Sequence, residues 1–349
     1  MIDRFDNTRS ETQVAAICNL FPKSEKLNVG NNDSMSGASF VLVPEFYVGT
    51  DYASFSPNAV FKIFPSGIVP SQELLMIRKQ QDLLGSQYKD IFWPYTVSEF
   101  EGIQLLVTPQ FDTTVSDMFR QASPPAMDDI KSVVEATAAT LTKLGNAYRE
   151  PVTPNVEEEL ALSLIFTANV LDSQIDKTSK YSGLPQLLKV VAGQSSKFAP
   201  KEATLSGNDC WLGNVVFQNG IARIFDPLPN LPLLKELGFS RFLDSQQFTP
   251  PSLRSVFLDW SRVSVSLNRS IYEWRRKNWQ TEANFLEKKL AEFRNKSEAE
   301  IGKATFSYGE LLNNAYFVTC NCESCRESGA LELSLSETER IAQKLLEYE

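Results

Sequence analysis

The sequence predicts an α+β protein of two lobes, a small β-rich N-terminal lobe and a larger, mainly helical C-terminal lobe. Three observations carry this. Before about residue 120, short runs rich in β-branched and aromatic residues alternate with turns. After it, apolar residues recur at helical spacing. Inside that helical half a single Asn-Gly hairpin stands alone.

In chain order, Ala38–Val48, Asn58–Phe64 and Ile103–Pro109 read as strands. One helix interrupts them, from about Ser71 to Leu84, opened by Pro70-Ser71 and closed by Gly85. Met127, Ile130, Val134, Thr137, Leu141, Leu144 and Tyr148 then recur with the period of an amphipathic helix. Glu157–Leu171 and Gly183–Val191 are predicted as two more helices, set apart by Pro151, Pro154 and Lys177–Ser182. Residues 214–226 form the β-island. Asn219-Gly220 sits between two apolar runs, and a tight hairpin turn needs positive φ at both central positions. The chain is helical again from residue 252. Leu286–Ala304 is mostly charged and is expected to be a solvated face. Ser336 with Glu339 reads as a capping box opening a last helix, Glu337–Tyr348. The expected division is 1–110 for the first lobe and 111–349 for the second, with a linker near Gln110–Asp112 and a cleft between.

Composition narrows the chemistry. The chain has 349 residues, which at roughly 150 per domain fits two lobes. It is 42% hydrophobic and 22% charged, ordinary globular usage. The net charge of −9 argues against nucleic acid as a partner. There is no histidine, which excludes a Ser-His-Asp triad, a Cys-His dyad and a His-ligated metal. No apolar run is long enough to span a bilayer, and the polar, acidic first residues resemble neither a secretory signal nor a transit peptide. A soluble, cytoplasmic protein is expected, with delivery into another cell left open. The five cysteines are odd in number and fit a reducing compartment.

The chemistry gathers at the hairpin. Asp209 lies five residues before Asn214, and Asp226 ends the hairpin that Asn214 begins. A two-residue turn brings those ends together, so Asn214 and Asp226 are expected to be close. Two oxygen side chains at a hairpin mouth suit Mg²⁺, a hard ion that prefers oxygen. Asp209 is then placed to face an incoming hydroxyl. Further upstream, Val60-Phe61-Lys62-Ile63 sets a lysine mid-strand among apolar residues, where an ammonium must be paired. The alternative is an edge-strand lysine facing water. Glu73 on the following helix is the expected partner and Asp82 the fallback. The turn Gly30–Gly37, with Ser34 at its centre, is rich in Gly, Ser and Asn and can lay N–H groups over phosphates.

In this order of elements the sequence resembles the protein-kinase-like superfamily, especially its aminoglycoside and choline phosphotransferase branch. Asp209 and Asn214 match the Asp-to-Asn spacing of that branch's catalytic loop, and Asp226 matches its later metal-binding Asp. Lys62 matches the third-strand lysine. The resemblance covers roughly residues 24 to 230 and implies a bilobal kinase-like fold using ATP and Mg²⁺. It implies that Lys62 holds the α/β-phosphates, Glu73 orients Lys62, Asn214 and Asp226 hold the metal, and Asp209 orients or deprotonates the acceptor. Gly30, Ser34 and Gly37 would cover the phosphates. Backbone groups of Gln110 and Phe111, after strand Ile103–Pro109, would meet adenine, with Pro109 removing one N–H donor. Two departures stand out. The family's His-Gly-Asp is Gly207-Asn208-Asp209, and Asp226 is followed by Pro227-Leu228.

The acceptor is expected to be a small-molecule hydroxyl, favoured by the long segment between the Met127–Tyr148 helix and Asp209. A protein acceptor, AMP transfer and a non-catalytic scaffold are the alternatives. Cys320, Cys322 and Cys325 are spaced for zinc only with a fourth ligand such as Cys18 or Cys210, and reduced loop cysteines are the simpler reading. The Tyr272–Trp279 segment reads as a helix that packs Trp274 and snorkels its arginines.

Overall fold

The computed structural model describes residues 7–27, 39–46, 56–63, 77–78, 80–147, 149–151, 154–204, 210–225, 257–319 and 330–348. The chain divides into two compact units, Met1–Thr113 and Thr114–Glu349.

The first unit is built on an antiparallel sheet of five strands among the described residues. They are β1 (Glu25–Leu27), β2 (Ser39–Val43), β3 (Ala59–Ile63), β4 (Thr96–Phe100) and β5 (Ile103–Pro109), in the order β1-β2-β3-β5-β4. Helix α1 (Asn7–Leu20) packs on β2 and β3 through Val14 and Ile17, which join Val41, Phe61, Ile63, Leu105 and Val107 in one core. Val14 and Ile17, just beyond the polar first residues, thus supply an apolar stripe to the sheet. Phe61 is fully buried and stacks on Phe100 at 5.5 Å, while Phe21 and Phe46 meet it edge-on. Burying each such ring contributes about 2 kcal/mol. Strand β2 ends at Val43 and not at Val48, because Pro44-Glu45 turns the chain with Glu45 at φ +56°. Helix α2, described at residues 77–78 and 80–84, passes at Gly85 (φ +53°) into a 3-10 turn and the short α3 (Tyr88–Ile91).

The second unit is helical. It contains α4 (Val115–Arg120), α5 (Met127–Ala147), α6 (Pro154–Gln174), α7 (Leu184–Ala192), α8 (Ser195–Phe198), α9 (Phe257–Arg276), α10 (Gln280–Ile301), α11 (Lys303–Thr319) and α12 (Ala330–Leu346). Two short strands, β6 (Arg149–Pro151) and β7 (Glu202–Thr204), pair with each other, and the hairpin is β8 (Val215–Gln218) with β9 (Ile221–Ile224). Its turn residues Asn219 and Gly220 have φ of +54° and +75°, as the Asn-Gly signal requires. α6, α7, α11 and α12 share one apolar core. Trp274 of α9 is buried and its indole N–H donates to the Phe119 carbonyl at 2.9 Å, while Arg275 reaches out to Glu287.

Two helices differ from expectation. α10 holds residues 286–301 of the charged 286–304 stretch, yet Ala283, Leu286, Leu290, Phe293 and Ser297 form a buried stripe along it. Spacings of three and four residues hide inside a charged composition. α12 starts at Ala330, so Ser336 lies within the helix instead of capping it, and the Thr338 hydroxyl donates to the Ser334 carbonyl at 2.6 Å.

A polar knot joins α9, α10 and α11. Glu310 Oε1 accepts from Arg294 at 2.9 and 3.0 Å and from the buried Ser264 hydroxyl at 2.6 Å. Glu310→Ala removes the carboxylate that both groups share, leaving Arg294 Nε only the Ser264 hydroxyl oxygen at 3.1 Å. The expected loss is about 2 kcal/mol, below that of a fully buried pair because Arg294 keeps some water. Urea unfolding of the variant checks it, and a midpoint equal to wild type would refute it.

Candidate functional site

In the first unit, Lys62 lies on β3 between β2 and β5, opposite Phe40 on one side and Leu106 on the other. This is an interior strand, so the edge-strand alternative does not hold. Lys62 is only 3% exposed. An ammonium this deep in a sheet needs an anionic or polar counterpart. Asp82, the fallback partner, is exposed on α2. Strand β5 delivers its end at 109–111. The Pro109 carbonyl accepts the buried Trp93 indole N–H at 2.9 Å, and the Phe111 ring meets Trp93 edge-on at 5.7 Å. Gln110 N–H donates to the Asn58 carbonyl at 2.9 Å, and Asn58 Nδ2 donates to Gln110 Oε1 at 2.9 Å.

In the second unit, the 3-10 turn Leu212–Asn214 carries Asn214 into β8. Asn214 N–H donates to the Trp211 carbonyl at 2.8 Å, and the Asn214 carbonyl accepts from Phe225 N–H at 2.7 Å. The hairpin therefore closes by backbone at Asn214 and Phe225, the residue preceding Asp226. Asn214 is 8% exposed, so its amide is held out of bulk water. Gly213 leaves room for the Trp211 ring, which a Cβ here would overlap. α4 and α9 pack on this turn and α5 packs on β9, where the Thr140 hydroxyl donates to the Ala222 carbonyl at 2.6 Å. Val216 also bridges to Thr114, the N-cap of α4, whose side chain closes a capping box with Asp117.

Lys62, Gln110, Phe111 and Asn214 are thus placed. Gly30, Ser34, Gly37, Glu73, Asp209 and Asp226 lie outside the described residues, as do Cys320, Cys322 and Cys325. Cys210 is fully buried. Among the described residues no cluster of three acidic or cysteine side chains is arranged for a metal, and no helix is long and apolar enough to cross a membrane.

The whole chain aligns in space with solved enzymes. It is similar to glucosamine kinase in complex with glucosamine, ADP and inorganic phosphate, with a TM-score of 0.54 and 12% identity over 99% of this chain and 87% of that one. A second crystal form of glucosamine kinase matches with a TM-score of 0.52 and 12% identity, over 90% of this chain and 82% of that one. The GDP complex of wild-type aminoglycoside 2'-phosphotransferase-IIIa matches with a TM-score of 0.53 and 13% identity, over 96% and 99% of the two chains. The chain has a protein-kinase-like fold. It is the form of that fold found in aminoglycoside phosphotransferases and glucosamine kinase. No family model matches the sequence, and no curated protein matches it.

Sequence reasoning did not find Asn58, Trp93, Trp211 or Thr140 around this kinase-like framework. Asn58, Trp93 and Thr140 act through partners brought near only by strand pairing or helix packing, while Trp211 acts on its turn neighbours Gly213 and Asn214. Gly213 between Trp211 and Asn214 was the one local signal, a small residue inside a turn.

Proposed function

We propose that the protein is an ATP- and Mg²⁺-dependent phosphotransferase that phosphorylates a hydroxyl group of a small molecule. The observation that carries the reading is Lys62, an ammonium buried on an interior strand of a kinase-like sheet. Asn214 supports it as a buried amide at the root of a hairpin whose far end leads into Asp226.

In this reading Lys62 holds the α/β-phosphates, Glu73 orients Lys62, and Gly30, Ser34 and Gly37 cover the phosphates. Gln110 and Phe111 meet the adenine through backbone atoms. Asn214 offers an amide oxygen and Asp226 a carboxylate, a donor set that fits Mg²⁺. The ion, when bound, neutralises charge on the β- and γ-phosphates. Asp209 orients the acceptor and receives its proton. The hydroxyl oxygen bonds to the γ-phosphorus as the bond to the bridging oxygen breaks, and ADP leaves with that electron pair. No histidine is needed, since positioning and charge neutralisation account for most of the rate. The small-molecule class is favoured by the long helical segment before Asp209 and by the glucosamine bound in one of the similar structures.

The test is transfer from γ-labelled ATP with Mg²⁺ to a cell lysate split into protein and small-molecule fractions. Label is expected in the small-molecule fraction. Asp209→Asn keeps an oxygen that can orient the hydroxyl but cannot take its proton, so transfer is expected to fall by about 10²-fold. Label on protein instead would move the acceptor to that class, and no label at all from a protein that binds ATP would refute phosphate transfer.

A further inference from the structure

Helix α4 has only six residues, too few to hold its shape by its own hydrogen bonds. It is fixed from outside at both ends. At its start, Thr114 closes the capping box with Asp117 and bridges to Val216 of the hairpin. At its end, the Phe119 carbonyl is among the last four of the helix, which find no donor within it. The Trp274 indole N–H of α9 supplies that donor at 2.9 Å, and the two rings meet edge-on at 5.0 Å.

Trp274 is itself held. It is fully buried, its carbonyl accepts from Trp279 N–H at 2.9 Å, and the two indoles lie 6.2 Å apart where α9 gives way to α10. Both α4 and α9 pack on the 3-10 turn Leu212–Asn214. One indole therefore ties together the two helices against which this turn rests. The turn has no slack to absorb a shift of either helix, since the Asn214 N–H and carbonyl are both engaged. Packing alone does not call for the N–H, because any aromatic ring would serve the Phe119 side chain.

The geometry points to Trp274 as a positioning residue for Asn214: by holding the end of α4 to α9 it fixes the turn that presents the Asn214 amide to the metal. This rests on the reading of Asn214 as a metal ligand given above. Trp274 acts through backbone and packing and touches no reacting atom.

The test is calorimetric binding of β,γ-methylene-ATP, with Mg²⁺ titrated in and with EDTA, to wild type and to Trp274→Phe. Phenylalanine keeps a ring against Phe119 and cannot donate. Wild type is expected to bind the analogue more tightly with Mg²⁺. In Trp274→Phe the Mg²⁺ affinity of the complex should fall by about tenfold, while binding in EDTA stays as in wild type. Thr114→Val loosens the other end of α4 and should weaken Mg²⁺ in the same direction, which keeps the inference testable if Trp274→Phe does not fold. Glu310→Ala, which weakens the α9–α10–α11 knot instead, should lower the thermal midpoint and keep the Mg²⁺ affinity of wild type. An unchanged Mg²⁺ affinity in folded Trp274→Phe or in Thr114→Val, or an equal loss in Glu310→Ala, overturns the inference and leaves the metal reading intact. A wild type that binds the analogue equally with and without Mg²⁺ overturns both.

Discussion

Replacing Lys62 with methionine is expected to lower phosphate transfer by about 10²–10³-fold, while the thermal midpoint stays within a few degrees of wild type. The two halves of this expectation have separate causes. Lys62 sits on β3 with Phe61 and Ile63 fully buried beside it, and is itself nearly inaccessible. Holding an ammonium there opposes folding through desolvation, whatever its counterpart returns. Methionine has a similar length, is unbranched and adapts to irregular space, so the sheet loses little packing. A lysine retained at such a place for the fold alone would be a poor solution, since an apolar side chain would serve the sheet as well. A lysine retained to meet phosphates needs the charge. Lys62→Arg separates charge from shape, because its planar, bulkier guanidinium cannot take the position of a compact ammonium inside a strand. It should also lose most transfer. Label transfer and melting curves on the same preparations decide the matter. Wild-type transfer by Lys62→Met would remove Lys62 from the site, and a midpoint far below wild type would make its role structural.

What the sequence could and could not disclose follows the range of the interactions. Asn219-Gly220 sets its own backbone, so the hairpin and the nearness of Asn214 to the end of β9 were legible from adjacent residues. Lys62 was legible because a lone charge in an apolar strand stands out. Whether that strand was interior or edge was not, since this depends on pairing with β2 and β5, far away in sequence. Strand β4, Thr96–Phe100, is polar and short and pairs with β5 on one side only, so it lacks the apolar run of a buried strand. α10 shows the reverse failure. Its charged residues set the average, and only the stripe from Ala283 to Ser297 reveals the face that packs on α5, α9 and α11. The bracing of the β5 end by Asn58 and Trp93 had no local signature, because each partner lies many residues away.

Gly213→Ala is the sharpest test that the turn before β8 exists to present Asn214. The Trp211 ring lies against the Gly213 α-carbon, and a methyl group there overlaps the ring. The turn has little room to yield. Leu212 and Asn214 are buried, the Asn214 N–H is tied to the Trp211 carbonyl, and the Asn214 carbonyl is tied to Phe225. Either the indole swings away or the turn rotates, and overpacking of this kind costs about 1–3 kcal/mol. A displacement of Asn214 by about 1 Å would reduce transfer by roughly 10²-fold. Removing the ring should relieve the clash, so in a Trp211→Ala background the same Gly213→Ala change should cost less than half as much, in both stability and transfer. That coupling distinguishes a steric cause from the general loss of glycine freedom, which would be equal in both backgrounds. The φ of Gly213 is not in the left-handed range, so backbone strain supplies no competing explanation. Equal losses with and without Trp211 would mean that the ring does not dictate glycine at this position, and the link from Gly213 through the turn to Asn214 would fail with it.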